Sequence, residues 1–283
     1  MESAFSGGIR IAMKKNLSAG KIGTSPRPEQ VVIPLKQHTG VMALPLVFAG
    51  DTVKLGQKIG DAEGLCAPVH ASVSGTVEAV EERPCVSGKM LCVVIRNDGL
   101  DTPDPTLEAF SKKAKISGPE LRGILRDAGI AGMGGNGFPV YAKLGAVIGK
   151  VDTVIVNACE SEPYVTADEV LLKNHFQAVL EGIRLLRDAV GPSRGVIAVG
   201  EHLEAAVQSF RKDLSGDSEE ILAVPDRYPQ GQEKLLVQAV TGREVPSGGL
   251  PMDAGCAVFN VATVDGDTAA AKATADAMLT ELD

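Results

Sequence analysis

The stretch Gly132-Met-Gly-Gly-Asn-Gly-Phe-Pro139 decides how the chain is interpreted, since it places four glycines within six residues. Glycine tolerates positive φ angles, so such a loop can approach a ligand closely and leave backbone N–H groups for phosphate or ring oxygens. Lys143 follows shortly and can add a positive charge. The loop differs from a dinucleotide fingerprint, because a helix precedes it and Phe138-Pro139 occupies the expected helix start. Alone, it fits a ligand cradle or a tight turn equally well.

The segments around this loop predict an α/β domain. Upstream, Ser117 can cap a helix that ends near Gly129. Downstream, a strand at residues 153–157 leads to a helix whose apolar residues recur every three or four positions and belong to the core: Leu172, Phe176, Val179, Ile183 and Leu186. The remaining predicted elements alternate, with strands at residues 195–200 and 221–224 and helices near residues 203–210 and 233–240. This alternation predicts a layered sheet with helices on its faces.

Polar side chains follow the strand at residues 153–157. Asn157 ends the strand, and Glu160 and Glu162 come just beyond it. Ligands of α/β folds usually bind outside the carboxyl ends of strands, although two such carboxylates can also be solvated loop charges. The stretch Tyr228-Pro-Gln-Gly-Gln-Glu233 repeats the theme with an aromatic residue, a glycine and an acid that opens a helix. Glu233 can serve a ligand there or simply complement the helix dipole.

Residues 1–100 predict a different, all-β domain. Short apolar runs are broken by glycine and proline, as is typical of strands with tight turns. The runs at residues 50–60 and 67–77 resemble the two halves of a biotinyl- or lipoyl-type barrel-sandwich domain. Such carriers bear their cofactor on a lysine at a hairpin tip, which falls near residues 64–67 here. No lysine lies between Lys58 and Lys89, so covalent biotin or lipoate is not expected.

Composition limits the possible functions. A length of 283 residues suits two domains, with a proline-containing linker at residues 101–116, an α/β domain at 117–264 and an alanine-rich, acidic helical tail at 265–283. A formal net charge of −8 argues against nucleic acid as a main partner. No stretch approaches the ~20 apolar residues of a membrane span, so a soluble cytoplasmic chain is expected. The five cysteines are scattered without a C-x-x-C pair, and no metal site is expected.

Taken in order, these motifs resemble the RnfC family, the subunits of Rnf ion-translocating oxidoreductases that are related to the flavin subunit of respiratory complex I. The resemblance covers roughly residues 7 to 263. It rests on the following segments, which occur in the family's order: Gly7-Gly-Ile-Arg, Ile33-Pro-Leu-Lys-Gln-His-Thr-Gly40, Pro68-Val-His-Ala-Ser-Val-Ser-Gly-Thr-Val77, the glycine stretch, Glu160-Ser-Glu-Pro-Tyr-Val-Thr-Ala-Asp168, Tyr228-Pro-Gln-Gly-Gln-Glu-Lys234 and Thr241-Gly-Arg-Glu-Val-Pro-Ser-Gly-Gly249. The expected fold is a barrel-sandwich β domain followed by a complex I flavin-subunit-like α/β domain that binds FMN.

The resemblance implies that NADH is oxidised at FMN and that single electrons pass to iron–sulfur centres outside this chain. Matching positions assign the FMN-binding residues as Gly132, Gly134, Gly135, Gly137, Lys143, Asn157, Glu160, Tyr228 and Asn260. Phe138, Glu162 and Glu233 face NADH in the same carry-over, with the two glutamates as the catalytic residues. The implied partners are the other subunits of a membrane-bound Rnf-type complex and an iron–sulfur acceptor. The chain is therefore expected at the cytoplasmic face of the inner membrane, held there by those subunits.

Departures from the family pattern keep other functions open. Met133, Asn136 and Cys159 differ from the residues of complex I. The family continues after the position of Thr263 into a module with cysteine clusters for [4Fe–4S] centres, whose ligands this chain does not contain, so it is interpreted as a fragment or a short variant. The alternatives are a non-catalytic assembly subunit without flavin and a soluble electron adaptor for another reductase. A retained flavin would distinguish the dehydrogenase from the assembly subunit.

Overall fold

A computed structural model describes residues 8–20, 23, 27–86, 88–105, 116–191 and 194–265 of the chain. The chain divides into two compact units. The first unit consists of Met1–Ile22, Ile116–Pro119 and Leu144–Thr268, and the second of Gly23–Lys115, Glu120–Lys143 and Ala269–Asp283. The predicted domain limits, 1–100 and 117–264, divide the chain differently and stay predictions. Most of the predicted linker and nearly all of the predicted tail lie outside the described residues.

The described residues contain eleven strands and five α helices. The strands are β1 (Gln30–Pro34), β2 (Leu44–Pro45), β3 (Thr52–Val53), β4 (Lys58–Asp61), β5 (Val69–His70), β6 (Gly75–Cys85), β7 (Gly88–Asn97), β8 (Thr153–Ala158), β9 (Arg194–Gly200), β10 (Glu219–Val224) and β11 (Cys256–Asn260). The helices are α1 (Gly118–Asp127), α2 (Val140–Val147), α3 (Ala167–Val190), α4 (Glu204–Val207) and α5 (Glu233–Thr241). Short 3-10 helices lie at Lys15–Leu17, Glu201–Leu203, Gln208–Asp213, Gly216–Ser218 and Pro251–Ala254.

The second unit contains the antiparallel β structure predicted for the N-terminal region. One sheet has the strand order β1-β7-β6-β3, and a second sheet has the order β2-β4-β5. Both sheets contribute to one buried apolar cluster, which includes Ile33, Leu35, Val53, Ile59, Val69, Val77, Val93 and Ile95. The antiparallel pair β4 and β5 forms the predicted hairpin, and residues 62–68 at its tip include no lysine.

The first unit is built on a parallel sheet with the strand order β10-β9-β8-β11. Ile155, Val196 and Val258 share a core cluster with residues of α5 on one face of the sheet. Because side chains alternate along a strand, Gly195 faces the other side, where a Cβ would lie 3.0 Å from Ile183 Cδ1 of α3. Helices therefore cover both faces, and the predicted fold class is confirmed.

One predicted helix differs from the structure. Residues 203–210 run from a 3-10 turn through the four-residue helix α4 into a second 3-10 turn. Only Leu203 and Val207 are fully buried there, so little core packing favours α-helical winding over the tighter 3-10 form. Among the described helices, none is both long and apolar enough to span a bilayer.

Candidate functional site

Polar side chains gather at the carboxyl edge of the parallel sheet in the first unit. Asn157 of β8 and Asn260 of β11 are register partners near the ends of their strands. Asn157 Nδ2 donates to Gly231 O at 2.8 Å, and Gly231 N donates to Ser161 Oγ at 3.1 Å. These bonds attach the turn that precedes α5 to the end of β8. Glu233 begins α5 two residues later and lies at the same edge.

The N-terminal segment, residues 8–20, forms part of the frame of this edge. Ile9 and Tyr228 exchange two backbone hydrogen bonds, each of 2.9 Å. The Tyr228 side chain nevertheless remains 42% exposed. Its aromatic ring is thus available to a ligand, while its backbone is fixed by a residue more than two hundred positions earlier in the chain.

A buried lysine of the same segment holds residues 160–165, which we call the acidic loop. Lys15 is only 8% exposed. Its Nζ donates to Glu160 O at 2.8 Å and to Val165 O at 2.6 Å, with a longer contact of 3.4 Å to Glu162 O. It also lies 3.6 Å from Glu160 Oε2. These oxygens compensate for the removal of the ammonium from water, and they fix the path of the loop around it.

The acidic loop also contains left-handed backbone conformations. Glu160 has a φ of +37° and Tyr164 a φ of +69°, values that are uncommon for residues other than glycine. Tyr164 N donates to Met13 O at 2.9 Å, and Ser18 Oγ donates to Tyr164 O. Contacts from the N-terminal segment therefore support a loop shape that the loop sequence alone does not favour.

A network of carboxylates links the acidic loop to β11. Glu160 Oε1 accepts a hydrogen bond from Asp168 N at 2.9 Å, and Asn260 Nδ2 donates to Asp168 Oδ2 at 2.9 Å. Burial and the negative charge of Glu160 raise the pKa of Asp168 to about 6, although the bond from Asn260 opposes the shift. The carboxyl group of Asp168 thus changes its protonation state within the mildly acidic range.

The glycine loop, residues 132–138, belongs to the second unit. It follows α1, and Pro139 leads directly into α2, as the sequence predicts. Gly132 N donates to Phe138 O at 2.9 Å, and Phe138 N donates to Asn136 Oδ1 at 3.0 Å, so the base of the loop is closed. The amides of four successive residues, Gly134 to Gly137, meet no acceptor among the described residues. Successive amides of this kind suit an anionic ligand.

Two glycines of this loop are required for different reasons. Gly137 has a φ of +57°, and a Cβ there would lie 3.2 Å from both Gln37 O and His38 Cα. Thr39 N also donates to Gly137 O at 2.9 Å, so the loop packs tightly on residues 37–39. Gly135 has a φ of +113°, and a Cβ there would point into open space. Only Gly135 therefore leaves room for a ligand.

A cavity of about 620 Å³ lies beside the glycine loop within the second unit. Its lining includes Gly135, Asn136 and Gly137, residues 36–39, and Val86 of the β6–β7 hairpin. His38 is 7% exposed, and its Nε2 has no hydrogen-bond partner among the described residues. Lys36 adds positive charge, and the lining contains no carboxylate side chain. The volume is in the range of small-molecule sites, and the charge favours an anionic ligand.

The predicted site residues fall into both units. The first unit brings Asn157, Glu160, Glu162, Tyr228, Glu233 and Asn260 to one edge of its sheet, and the second carries Gly132, Gly134, Gly135, Gly137, Phe138 and Lys143 on the glycine loop and α2. Their roles toward a ligand stay predictions. Within the part of the chain that the structure describes, no group of three or more His, Cys, Asp or Glu side chains could hold a metal ion.

Sequence reasoning gave no role to four residues of the first-unit edge: Lys15, Ser161, Asp168 and Gln230. The last three lie inside motifs that were recognised, so their position was a usable signal. Lys15 lies in Met13-Lys-Lys-Asn16, which resembles an ordinary solvated charge cluster, and only the structure shows that it is buried.

Comparison with known proteins gives the chain two family matches. The model described as the RnfC barrel sandwich hybrid domain matches residues 3–100, and the model described as the Nuo51 FMN-binding domain matches residues 125–266. Among solved structures, an NAD+-reducing [NiFe]-hydrogenase in the air-oxidized state is similar with a TM-score of 0.50 and 23% identity. That match covers 55% of this chain and 30% of the other, and it supports the fold alone.

Curated relatives, all RnfC subunits, are similar along most of the chain. The one from the Na(+)-translocating ferredoxin:NAD(+) oxidoreductase complex of Acetobacterium woodii is 43% identical, over 92% of this chain and 60% of its own length. Its counterpart in the proton-translocating complex of Clostridium ljungdahlii is 37% identical, over 93% and 58%. The one from the ion-translocating oxidoreductase complex of Pseudomonas aeruginosa is 37% identical, over 92% and 34%. The chain thus spans between a third and three fifths of these relatives. With a barrel-sandwich region followed by a Nuo51-type region and this similarity along most of its length, the chain belongs to the RnfC family of ion-translocating oxidoreductase subunits.

Proposed function

We propose that this chain is the NADH-oxidising part of an RnfC subunit, which binds FMN and delivers electrons singly to iron–sulfur centres outside the chain. Relatives are named as ferredoxin:NAD(+) oxidoreductase subunits, and the matched family model is described as FMN-binding. The observation that carries the proposal is the glycine loop, whose run of amides without described acceptors borders a nucleotide-sized cavity.

The residues present fit a flavin mononucleotide. The amides from Gly134 to Gly137 offer donors to phosphate or ring oxygens, and the space beside Gly135 is open. Lys36 in the cavity lining favours a negative charge, and no carboxylate of the lining opposes it. When bound, FMN supplies the chemistry that the side chains lack, since it takes a hydride from NADH and releases the electrons one at a time.

The chain's own residues bind and orient in this proposal. The glycine-loop amides and Lys143 hold the flavin, together with Asn157, Tyr228 and Asn260. Glu160 shapes the acidic loop, because its carboxylate is engaged by Lys15 and by the Asp168 amide. Phe138, Glu162 and Glu233 orient the nicotinamide, which transfers hydride only when it is held in contact with the acceptor ring.

The proposed partners are the remaining subunits of an Rnf-type complex, with an iron–sulfur protein as the acceptor. The relatives are named as subunits of translocating complexes, and this supports attachment to the cytoplasmic face of a membrane through other subunits.

The test is the visible absorbance of the purified, FMN-reconstituted chain before and after anaerobic addition of NADH. We expect a protein-bound flavin band that NADH bleaches. Gly135→Leu should abolish flavin retention, because the side chain fills the space beside the loop amides. Gly50→Leu is the matched control, since Gly50 has a similar φ of +96° and open space around its Cβ direction. Glu233→Ala should keep the flavin and lower NADH turnover.

Two results would contradict the proposal. A wild-type chain that retains no flavin would favour the non-catalytic assembly subunit. Equal flavin retention in Gly135→Leu and Gly50→Leu would remove the glycine loop from the site. Loss of flavin in Glu233→Ala would mean that this residue holds FMN rather than NADH.

A further inference from the structure

Gln230 is a buried amide without a partner at the carboxyl edge of the first-unit sheet. The residue is 1% exposed. Neither Nε2 nor Oε1 has a hydrogen-bond partner among the described residues. Buried side-chain amides are nearly always hydrogen-bonded, because an unpaired donor or acceptor loses its water without compensation. An amide that leaves both its donor and its acceptor unpaired therefore needs a physical explanation.

The backbone around Gln230 is fixed, so the side chain cannot leave its place without breaking several bonds. Gln230 N donates to Arg227 O at 2.6 Å. The next residue, Gly231, is bonded through its carbonyl to Asn157 and through its amide to Ser161. Two residues before, Tyr228 is paired with Ile9. Such a turn holds an unpaired amide in a prearranged position beside the predicted flavin and NADH residues.

We infer that Gln230 recognises an amide-type edge, an N–H group beside a carbonyl, on the bound redox cofactor. A carboxamide pairs with such an edge through two hydrogen bonds, because each side offers one donor and one acceptor. Both cofactors of the proposed function carry this chemistry: the pyrimidine ring of the flavin has N3–H between two carbonyls, and nicotinamide has a carboxamide. The inference rests on the proposed function and adds a specificity-determining residue to it.

The mechanism makes opposite predictions for the empty and the loaded chain. Gln230→Met removes the unpaired amide but keeps a side chain of similar length. The thermal midpoint of the flavin-free chain should therefore rise, by roughly 2–4 °C. FMN affinity should instead fall by about tenfold, the amount expected when one good pair of hydrogen bonds is lost. Gln238→Met is the matched control, because Gln238 has its own partner, Glu244, and should show neither effect.

Cofactor analogues identify the edge and need no mutation of the wild-type chain. N3-methyl-FMN lacks the N3–H donor, so the wild type should bind it about tenfold more weakly than FMN, whereas Gln230→Met should bind both equally. If instead FMN and its analogue bind alike, and Gln230→Met raises only the KM for NADH, the recognised edge is the nicotinamide carboxamide. Gln230→Ala repeats each measurement in case the methionine packs poorly.

The outcomes separate the two proposals. If the wild type binds FMN but Gln230→Met lowers the midpoint of the flavin-free chain and leaves FMN and NADH binding unchanged, the amide holds only the fold and the inference is overturned. If the wild type binds neither FMN nor NADH, the proposed function falls as well. Stabilisation of the flavin-free chain together with weaker cofactor binding supports both.

Discussion

The acidic loop of the first unit and the glycine loop of the second are constructed in opposite ways. Lys15 holds the acidic loop from a position 145 residues away from Glu160, and the carboxylates around it are largely buried. The glycine loop is closed by bonds among its own residues, and its central amides stay without a described acceptor.

The difference shows two ways to prepare a site before a ligand arrives. In the acidic loop the polar groups already satisfy one another, so the loss of one group leaves several others buried and unpaired. In the glycine loop the backbone conformation does the work, and the polar groups remain available. We expect substitutions in the first to act mainly on stability and on protonation, and substitutions in the second to act through sterics and backbone strain.

Lys15→Met is the strongest way to break this comparison. It leaves the Glu160 carboxylate and the carbonyls of the acidic loop without their cation, and the free energy of unfolding should fall by roughly 3 kcal/mol or more. Urea denaturation measures the loss, and hydrogen exchange should show the amide of Tyr164 exchanging faster. The control is Lys14→Met, since Lys14 is exposed and adjacent. Equal effects of the two substitutions would mean that Lys15 does not hold the loop.

Asp168→Asn tests whether the acidic loop carries unfavourable buried charge. The pKa of Asp168 is raised from 3.8 to about 6, so the folded chain binds this proton more tightly than the unfolded chain does. The stabilising contribution of the protonated group is present below pH 3.8 and is lost as the pH rises through about 6.

Asp168→Asn should therefore match the wild type in stability near pH 4 and exceed it at pH 8. The gain should be roughly 2–3 kcal/mol, because one pKa unit corresponds to about 1.4 kcal/mol. Denaturation curves at both pH values measure it, with Asp217→Asn at an exposed position as the control. A variant that is less stable than the wild type at pH 8 would show that the ionised carboxylate is instead favourable.

The fold could be predicted where the sequence pattern is local. The apolar stripe of α3 is buried at every predicted position, Leu172, Phe176, Val179, Ile183 and Leu186. Strand ends and the glycine loop were located for the same reason, since glycine spacing and apolar runs can be read within a few residues. The helix at residues 203–210 was predicted incorrectly in part, because too few of its residues face the core to favour α-helical winding.

The rest of the site depends on contacts between distant parts of the chain. No local pattern distinguishes the buried Lys15 from the exposed Lys14 beside it. Nor does the sequence show that Gln230 is buried without a partner among the described residues, or that Gly137 is glycine because residues 37–39 pack against it. These features follow from tertiary packing, so they required coordinates.

Gly137→Ala gives the smallest expected effect and sharpens the description of the glycine loop. A Cβ at this position meets the backbone of residues 37–39 at 3.2 Å, and it also strains a φ of +57°. Gly99→Ala in the same unit is the control, since Gly99 has a φ of +73° and open space, so it reports the conformational strain alone. We expect Gly99→Ala to lower the free energy of unfolding by about 1 kcal/mol and Gly137→Ala by about 1 kcal/mol more. If urea denaturation gives equal losses, backbone conformation is the whole requirement at Gly137. A larger loss at Gly137 would instead show that the barrel-sandwich segment at residues 37–39 shapes the glycine loop, so that even the locally closed loop depends on one distant contact.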